Sequence, residues 1–253
     1  MKKLIKNIFS KLGFEVRRIN KEIPNINFED LIKKKIIKTP IILDVGGNRG
    51  QSIEKFKRIF SNPIIHSFEP IKSEFDFMCK KFKDDKNVYL NNFALGNQIE
   101  EKEFNITAKT GTSSFNEINP NTNWLKIKSK QYKTTPKDYV ISRQKVKIYT
   151  LDQYCLDKKI NEIHFLKIDT QGYEDKVLEG SINNLKNNKI KAVVAEIIFD
   201  NTYNKYFSFS DIEKYITPNN FRRIGIDLVN NNLFSGLVFF ADVYYFNKKY
   251  YNL

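Results

Sequence analysis

Short apolar runs and amphipathic segments alternate along the first half of the chain. Residues 41–45 form a short apolar run, which is typical of a strand buried on both faces of a parallel sheet. Residues 64–69 predict a second strand, which stops at Pro70 because proline cannot extend a central strand ladder. Residues 52–60 and 75–82 carry apolar side chains at helical spacing, and residues 88–95 form a third strand-like run. This β-α-β-α-β order predicts a parallel sheet with helices on both faces.

The same alternation resumes in the second half of the chain. Residues 163–169 and 192–196 are apolar runs that end in an acid, and residues 173–185 between them have the pattern of a helix. Residues 221–229 and 238–246 follow as two late strands that predict an antiparallel hairpin. The expected fold class is therefore α/β, Rossmann-like, with a mostly parallel seven-stranded sheet that ends in an antiparallel hairpin.

An insertion at about residues 100–150 interrupts this order. Apolar residues alternate with polar ones around Phe104 and again around Val146, which predicts two added strands. Between them lies a polar, basic stretch that contains Trp124 and Tyr132. Because long insertions in compact domains usually carry function, we expect this inserted β segment to bear on specificity. Residues 39–253 are expected to form one domain, preceded by a basic, helical extension over residues 1–38.

The net charge of +14 is concentrated in two places. Residues 1–38 carry eleven Lys or Arg against four acids, and residues 126–147 carry eight against one. Such a surplus of positive charge can bind nucleic acid, an anionic membrane surface or an anionic substrate. It can equally reflect a chain in which lysine is frequent throughout, and both interpretations stay open.

The loop after the first predicted strand reads Asp44-Val45-Gly46-Gly47-Asn48-Arg49-Gly50. Its glycines allow a sharp bend and a close approach to a ligand, but they do not form the G-x-G-x-x-G pattern of dinucleotide-binding folds. The acid at the strand end would repel a pyrophosphate and suits the cationic amino-acid end of S-adenosylmethionine. Glu69 ends the second strand, where a carboxylate can accept hydrogen bonds from ribose hydroxyls.

Several segments in this order resemble the FkbM-type methyltransferases. Besides the loop just described, they are Phe68-Glu69-Pro70, Asn92-Phe93-Ala94-Leu95-Gly96, Gly111-Thr112-Ser113-Ser114, Thr150-Leu151-Asp152, and the run from Leu166 to Glu174 with Val177-Leu178-Glu179-Gly180. The resemblance implies a class I methyltransferase fold, S-adenosylmethionine as methyl donor, and methylation of a sugar or natural-product hydroxyl. The family often has Glu where Gln171 stands, which puts any acid-base role of that position in doubt.

The resemblance and the motifs together assign a set of cofactor-binding residues. Asp44, Gly46 and Gly50 would line the methionine end of the cofactor, Glu69 the ribose, and Phe93 and Ala94 the adenine. The full predicted set is Asp44, Gly46, Gly47, Asn48, Gly50, Ser52, Glu69, Pro70, Phe93 and Ala94.

Methyl transfer to an alcohol requires a group that aligns the hydroxyl and removes its proton. His66 lies within a strand and His164 at a strand entry, so neither is expected at the ligand edge of the sheet. Asp169 and Glu196 end their strands and are the predicted catalytic residues. The alternative for Asp169 is a structural role as the cap of the next helix. A divalent cation held by both carboxylates is a further option that the sequence does not favour.

Two other functions remain as alternatives to the sugar methyltransferase. The basic surplus suggests a nucleic-acid methyltransferase, although no Pro-Pro-Tyr or Pro-Cys segment of the expected kind is present. A cofactor-binding module without turnover would keep the same motifs. The acceptor is expected to be a sugar or glycan, anionic or linked to a nucleotide or lipid. Two cysteines and no secretory signal favour a cytoplasmic protein, with peripheral contact at the inner membrane face as a further expectation.

Overall fold

The computed structural model describes residues 39–199, 201–205, 208–230 and 238–251, together with residues 9, 11–13, 33, 34, 36 and 37. The expected helical extension over residues 1–38 thus lies almost entirely outside the described residues. The division into an extension over residues 1–38 and one domain over residues 39–253 stays a prediction. In the described parts of the chain, no helix is long and apolar enough to cross a membrane.

The described residues form ten strands and eight helices. The strands are β1 (Ile41–Val45), β2 (Ile64–Phe68), β3 (Val88–Asn91), β4 (Ala94–Leu95), β5 (Glu100–Thr107), β6 (Val140–Tyr149), β7 (Phe165–Ile168), β8 (Ala192–Ile198), β9 (Phe221–Asn230) and β10 (Val238–Asn247). The helices are α1 (Gln51–Ile59), α2 (Lys72–Lys81), α3 (Asn123–Gln131), α4 (Leu151–Asp157), α5 (Glu174–Glu179), α6 (Ile182–Lys186), α7 (Phe209–Ile216) and α8 (Lys248–Tyr251).

The main sheet has seven strands in the order β3-β2-β1-β7-β8-β10-β9. Five neighbouring strands of this sheet, β3, β2, β1, β7 and β8, are parallel to one another. Strand β10 is antiparallel to both β8 and β9. The strand order reverses between the neighbouring strands β1 and β7, because the chain continues from β1 to β2 on one side and from β7 to β8 on the other. In an open α/β sheet, ligands bind at such a reversal, beyond the carboxyl ends of the strands.

Alternate residues of the central strands enter two separate apolar layers. Leu43 and Leu166 face a layer that α4, α5, α6 and α7 complete, while Ile42 and Phe165 face a layer built with α1 and α2. Strands buried on both faces need apolar side chains at nearly every position, which explains the continuous runs in the sequence. A polar residue in such a strand therefore marks a special position.

The insertion and the short strand β4 before it form a second, three-stranded sheet in the order β4-β6-β5. The two predicted added strands are confirmed as β5 and β6, which pair antiparallel. The prediction of one strand over residues 88–95 is wrong, because β3 ends at Asn91 and β4 belongs to the second sheet. The chain turns away at Asn92, whose side-chain amide donates to the backbone oxygens of Glu69 (2.9 Å) and Pro70 (3.2 Å).

A second difference concerns the helix predicted over residues 173–185. The structure divides it into α5 and α6, with a break at Gly180 and Ser181. A Cβ atom at Gly180 would lie 1.9 Å from the backbone oxygen of Gly96, so the helix meets the chain after β4 there. The periodicity of the segment continues through the break, which is why the sequence did not reveal it.

Candidate active site

The loop after β1 folds tightly over the carboxyl ends of the central strands. The backbone N–H groups of Gly46 and Gly47 both donate to the oxygen of Phe68 at 3.0 Å. Gly46 has a φ of +87°, and a Cβ atom there would lie 1.9 Å from the backbone oxygen of Asp169. Only glycine suits this position, because the backbone is left-handed and pressed against the end of β7.

Asp44 lies beneath this loop and is completely buried. Its carboxylate accepts a hydrogen bond from the Ser67 hydroxyl (2.9 Å), and the Lys167 ammonium lies 3.4 Å from its other oxygen. The same ammonium lies 3.4 Å from the backbone oxygen of Gly46 and 3.5 Å from Asp169. Burial alone would lower the pKa of Lys167, but the surrounding carboxylates outweigh it and raise the pKa. Asp44 thus holds a cation under the loop.

Glu69 joins the loop to the end of β2. Its two carboxylate oxygens accept hydrogen bonds from the backbone N–H groups of Asn48 and Ile71, each at 2.8 Å. Burial raises the pKa of Glu69 to about 7, although these two hydrogen bonds oppose the shift. A carboxylate has about four lone-pair sites, so two remain for other donors.

Two adjoining cavities open at this edge of the sheet. The first has about 620 Å³ of space including its mouth, and the second about 1540 Å³. The first contains Glu69 and is otherwise largely apolar, with a wall of Ile71, Ala94, Leu95, Phe104, Phe115 and Tyr173. The second is more polar, and residues at the junction line both cavities: Gly46, Asn48, Thr110, Gly111, Asp169 and Gln171.

The other predicted cofactor residues are distributed unevenly around these cavities. Pro70 and Ala94 line the first cavity, and Gly47 and Ser52 line the second. Asp44, Gly50 and Phe93 are absent from both linings. The ring of Phe93 packs instead on the rings of Tyr149 (4.6 Å) and Phe68 (5.6 Å) in the core.

Asp169 and Glu196 are brought together by the amide of Gln171. The amide nitrogen of Gln171 donates to Asp169 Oδ1 at 2.9 Å and to Glu196 Oε2 at 2.6 Å. Gln171 has a left-handed backbone (φ 58°), and its Oε1 accepts from the Tyr203 hydroxyl at 3.2 Å. The predicted pair of carboxylates therefore shares one neutral donor that points between them.

Glu196 is the more strongly perturbed of the two acids. Burial raises its pKa well above the usual range, and the nearby carboxylates of Asp169, Glu174 and Asp242 raise it further. Asp169 is more accessible, with 35% of its side chain exposed. The two acids thus differ in environment, one shifted toward its protonated form and the other open to both cavities.

Asp169 does not cap the following helix. α5 begins at Glu174, and Tyr173 precedes it as the capping residue. The carboxylate of Glu174 folds back onto the loop and accepts from the backbone N–H groups of Thr170 (2.8 Å) and Gly172 (3.0 Å). Because Glu174 accepts these hydrogen bonds, the Asp169 carboxylate does not act as the helix cap.

Neither histidine lines either cavity. His66 Nδ1 lies 2.8 Å from the Tyr154 hydroxyl, and burial, with Lys158, lowers the pKa of His66 to about 4. The Nδ1 atom of His164 accepts a hydrogen bond from the backbone N–H of Ile41 at 3.1 Å. Both histidine side chains therefore make structural hydrogen bonds at the main sheet.

Ser114 in the insertion and Tyr203 after β8 make contacts at the site, a role that the sequence alone did not assign to either residue. The Ser114 hydroxyl donates to the backbone oxygen of Gln171 at 2.8 Å, and Tyr203 donates to the oxygen of Thr112 at 3.0 Å. Together they anchor the segment that carries Thr110 and Gly111 over the junction. Lys167 was also missed, although a lysine inside an otherwise apolar strand was a visible signal.

No group of three or more His, Cys, Asp or Glu side chains that could hold a metal ion occurs among the residues described. The donors nearest to the carboxylates are the Lys167 ammonium and the Gln171 amide. The role of a divalent cation stays a prediction that the sequence did not favour.

The model of the methyltransferase FkbM domain matches residues 44–223, and no curated protein matches the sequence. Among solved structures, an rRNA methylase from Streptococcus thermophilus is 9% identical, with 90% of this chain and 99% of that chain covered and a TM-score of 0.46. An S-adenosylmethionine-dependent methyltransferase from Aquifex aeolicus is 11% identical, with 96% and 98% covered and a TM-score of 0.46. The predicted fold class is confirmed by the sheet order and the domain match.

Proposed function

Because this chain belongs to the FkbM family of S-adenosylmethionine-dependent methyltransferases, we propose that it methylates a hydroxyl group of a sugar, glycan or related metabolite. The donor side of the reaction follows from the family. The acceptor side rests on the second cavity, on Glu196 in its lining and on Asp169 at its junction with the first cavity.

The first cavity suits the nucleoside part of S-adenosylmethionine. The Glu69 carboxylate keeps two lone-pair sites beyond its bonds to Asn48 and Ile71, enough for two ribose hydroxyls. The apolar wall formed with Ala94 and Leu95 suits an adenine ring. When bound, the cofactor supplies a methyl group carried on a sulfonium. Gly46 and Asn48 would line the cofactor toward the junction of the two cavities. Asp44, beneath the loop, would favour its cationic amino-acid end.

The observation that carries the proposal is the position of Asp169 and Gln171. Both line the first cavity and the second, so they lie where a donor and an acceptor would meet. Transfer to an oxygen needs the acceptor hydroxyl aligned with the donor, and its proton must leave. A carboxylate at the junction can accept a hydrogen bond from that hydroxyl and take the proton.

Asp169 and Glu196 would divide this work. Asp169 is the more exposed acid and would orient the hydroxyl and accept its proton. Glu196 is shifted toward the protonated form and could donate a hydrogen bond to a neighbouring oxygen of the acceptor. Gln171 would position both carboxylates through its shared amide. A glutamate at this position would add a third carboxyl group, whereas glutamine contributes a neutral donor.

Mass spectrometry of glycans and small metabolites tests the proposal. Cells that lack the protein should lose one methyl group from a sugar-containing product, and the wild-type gene should restore it. A gene carrying Asp169→Asn should not restore it, although the protein accumulates. If methyl loss appears only in nucleic acid, the acceptor is not a sugar and the nucleic-acid alternative replaces this proposal.

The proposed setting is the cytoplasm. Cys79 and Cys155 are both free thiols, as expected in a reducing compartment. Contact between the basic residues before position 39 and an anionic membrane surface stays a prediction. Fractionation of cells with and without residues 1–38 of the protein would test it.

A further inference from the structure

Four cationic side chains line the second cavity, and they differ in how their charge is balanced. Arg49 lies 2.7 Å from the Glu74 carboxylate, and Lys167 lies within 3.5 Å of two carboxylates. Lys109 and Lys128 form no ion pair with any acid in the described part of the chain. The cavity therefore carries two cations that the protein itself leaves uncompensated.

Lys128 is the more informative of these two lysines. It belongs to α3 but is only 9% exposed, whereas Lys126 and Lys130 on the same helix are exposed. Its ammonium donates to the neutral Gln131 Oε1 at 3.3 Å. Burial lowers the pKa of Lys128, and the nearby charge of Lys109 lowers it further. The Lys128 side chain is thus packed against the protein while its ammonium faces the cavity beside a second cation, and no acid among the described residues balances the charge there.

We infer that Lys109 and Lys128 form an oxyanion-binding subsite in the acceptor cavity, so that the acceptor is a sugar bearing a phosphate or a carboxylate. This inference rests on the proposed function, which places the reacting hydroxyl at the Asp169 end of the same cavity. The cavity then has two distinct ends, with carboxylates at the junction and lysines on the wall formed by the insertion. An acceptor with an anionic group could enter in only one orientation.

Most cations of the basic insertion lie outside the lining of the second cavity. The charge surplus over residues 126–147 suggested a broad anionic contact, but Lys128 is the only one of its eight cations that lines the cavity. Lys109 lies outside that segment, near Gly111 at the junction. Selectivity for an anion therefore depends on two positions, and the exposed lysines of α3 are matched controls.

Calorimetric titration in saturating S-adenosylhomocysteine tests the subsite. The probes are pyrophosphate, glucose 1-phosphate, glucuronate and glucose, and the proteins are wild type, Lys128→Met and the control Lys126→Met. We expect at least one anionic probe to bind wild type at least about tenfold more tightly than glucose does. Lys128→Met should remove that preference, and Lys126→Met should retain it. The comparison of glucose 1-phosphate with glucuronate tells a phosphate acceptor from a carboxylate acceptor.

Three results would overturn the inference: no preference of wild type for any anion, an unchanged preference in Lys128→Met, or an equal loss in Lys126→Met. The last result would mean diffuse attraction to surface lysines. Binding of S-adenosylhomocysteine by each protein separates the two levels, because its absence in wild type would instead contradict the proposed function. If Lys128→Met fails to fold, Lys109→Met is the deciding variant, since Lys109 is exposed and its replacement leaves the core intact.

Discussion

Replacing Glu69 by glutamine is the sharpest perturbation of the proposed cofactor cavity. The carboxylate bonds to the backbone N–H groups of Asn48 and Ile71 and, in the proposed complex, to ribose hydroxyls. Glu69→Gln keeps the volume but removes the charge and turns one acceptor oxygen into a donor. That donor would then face either a backbone N–H group or the ribose.

The expected loss follows from the bonds affected. A hydrogen bond to a charged group contributes about 1.5–3 kcal/mol. Its loss in Glu69→Gln should raise the dissociation constant of the cofactor roughly 10- to 150-fold. Because burial raises the pKa of Glu69 to about 7, wild type should also bind more tightly as the pH rises through this value and the carboxylate ionises. Glu69→Gln should show a flatter dependence on pH.

Calorimetry with S-adenosylhomocysteine at about pH 8, where the carboxylate is ionised, measures this loss. Glu101→Gln is the control, since Glu101 is exposed on β5 and lines neither cavity. An unchanged dissociation constant in Glu69→Gln would refute the placement of the ribose at the end of β2. An equal loss in Glu101→Gln would mean that net charge alone was measured.

Three further outcomes follow from the geometry. Asp169→Asn should lower kcat by about a hundredfold in steady-state assays while the dissociation constant of S-adenosylhomocysteine changes only a few-fold, and an equal kcat would transfer the role to another group. Gly46→Ala should lower the free energy of unfolding in urea by about 1–3 kcal/mol, because its Cβ would meet the backbone of Asp169. Gly111→Ala should be near neutral, because its Cβ would make only ordinary contacts with Asn48 and Lys109, and equal stabilities of the two variants would contradict this account. The pKa values of Glu69 and Glu174 are raised from 4.5 to about 7 in the folded state. Between pH 4.5 and about 7, each of these two carboxyl groups therefore binds more protons in the folded state than in the unfolded state. Each should therefore lower the free energy of unfolding by on the order of 3 kcal/mol as the pH rises from about 4.5 to about 7, and urea titrations of Glu69→Gln should show a weaker decline than wild type.

The main sheet and the loop after β1 could be predicted because their signals are local. A strand buried on both faces needs mostly apolar side chains, and residues 41–45 and 64–68 have them apart from Asp44, His66 and Ser67. The acid at the end of each run stands out against that background. Asp44 and Glu69 were therefore identified without any knowledge of which strands are neighbours.

The contacts that complete the site are not local and could not be read in this way. The Gln171 amide reaches Glu196 only because β7 and β8 are neighbours and because the backbone at Gln171 is left-handed. Lys128 differs from Lys126 only in which side of α3 faces the cavity. That choice depends on how the insertion packs on the main sheet. The pattern of charges alone could not separate the two lysines.

Binding of S-adenosylmethionine by the wild-type protein tests the central claim most directly. The cavity beside Glu69 should bind the cofactor and S-adenosylhomocysteine in the micromolar range, which corresponds to about 8 kcal/mol at 1 μM. Calorimetry should show saturable heat with one site per chain, and the thermal midpoint should rise with either ligand. The absence of heat and of any thermal shift with both ligands at millimolar concentration would contradict the account.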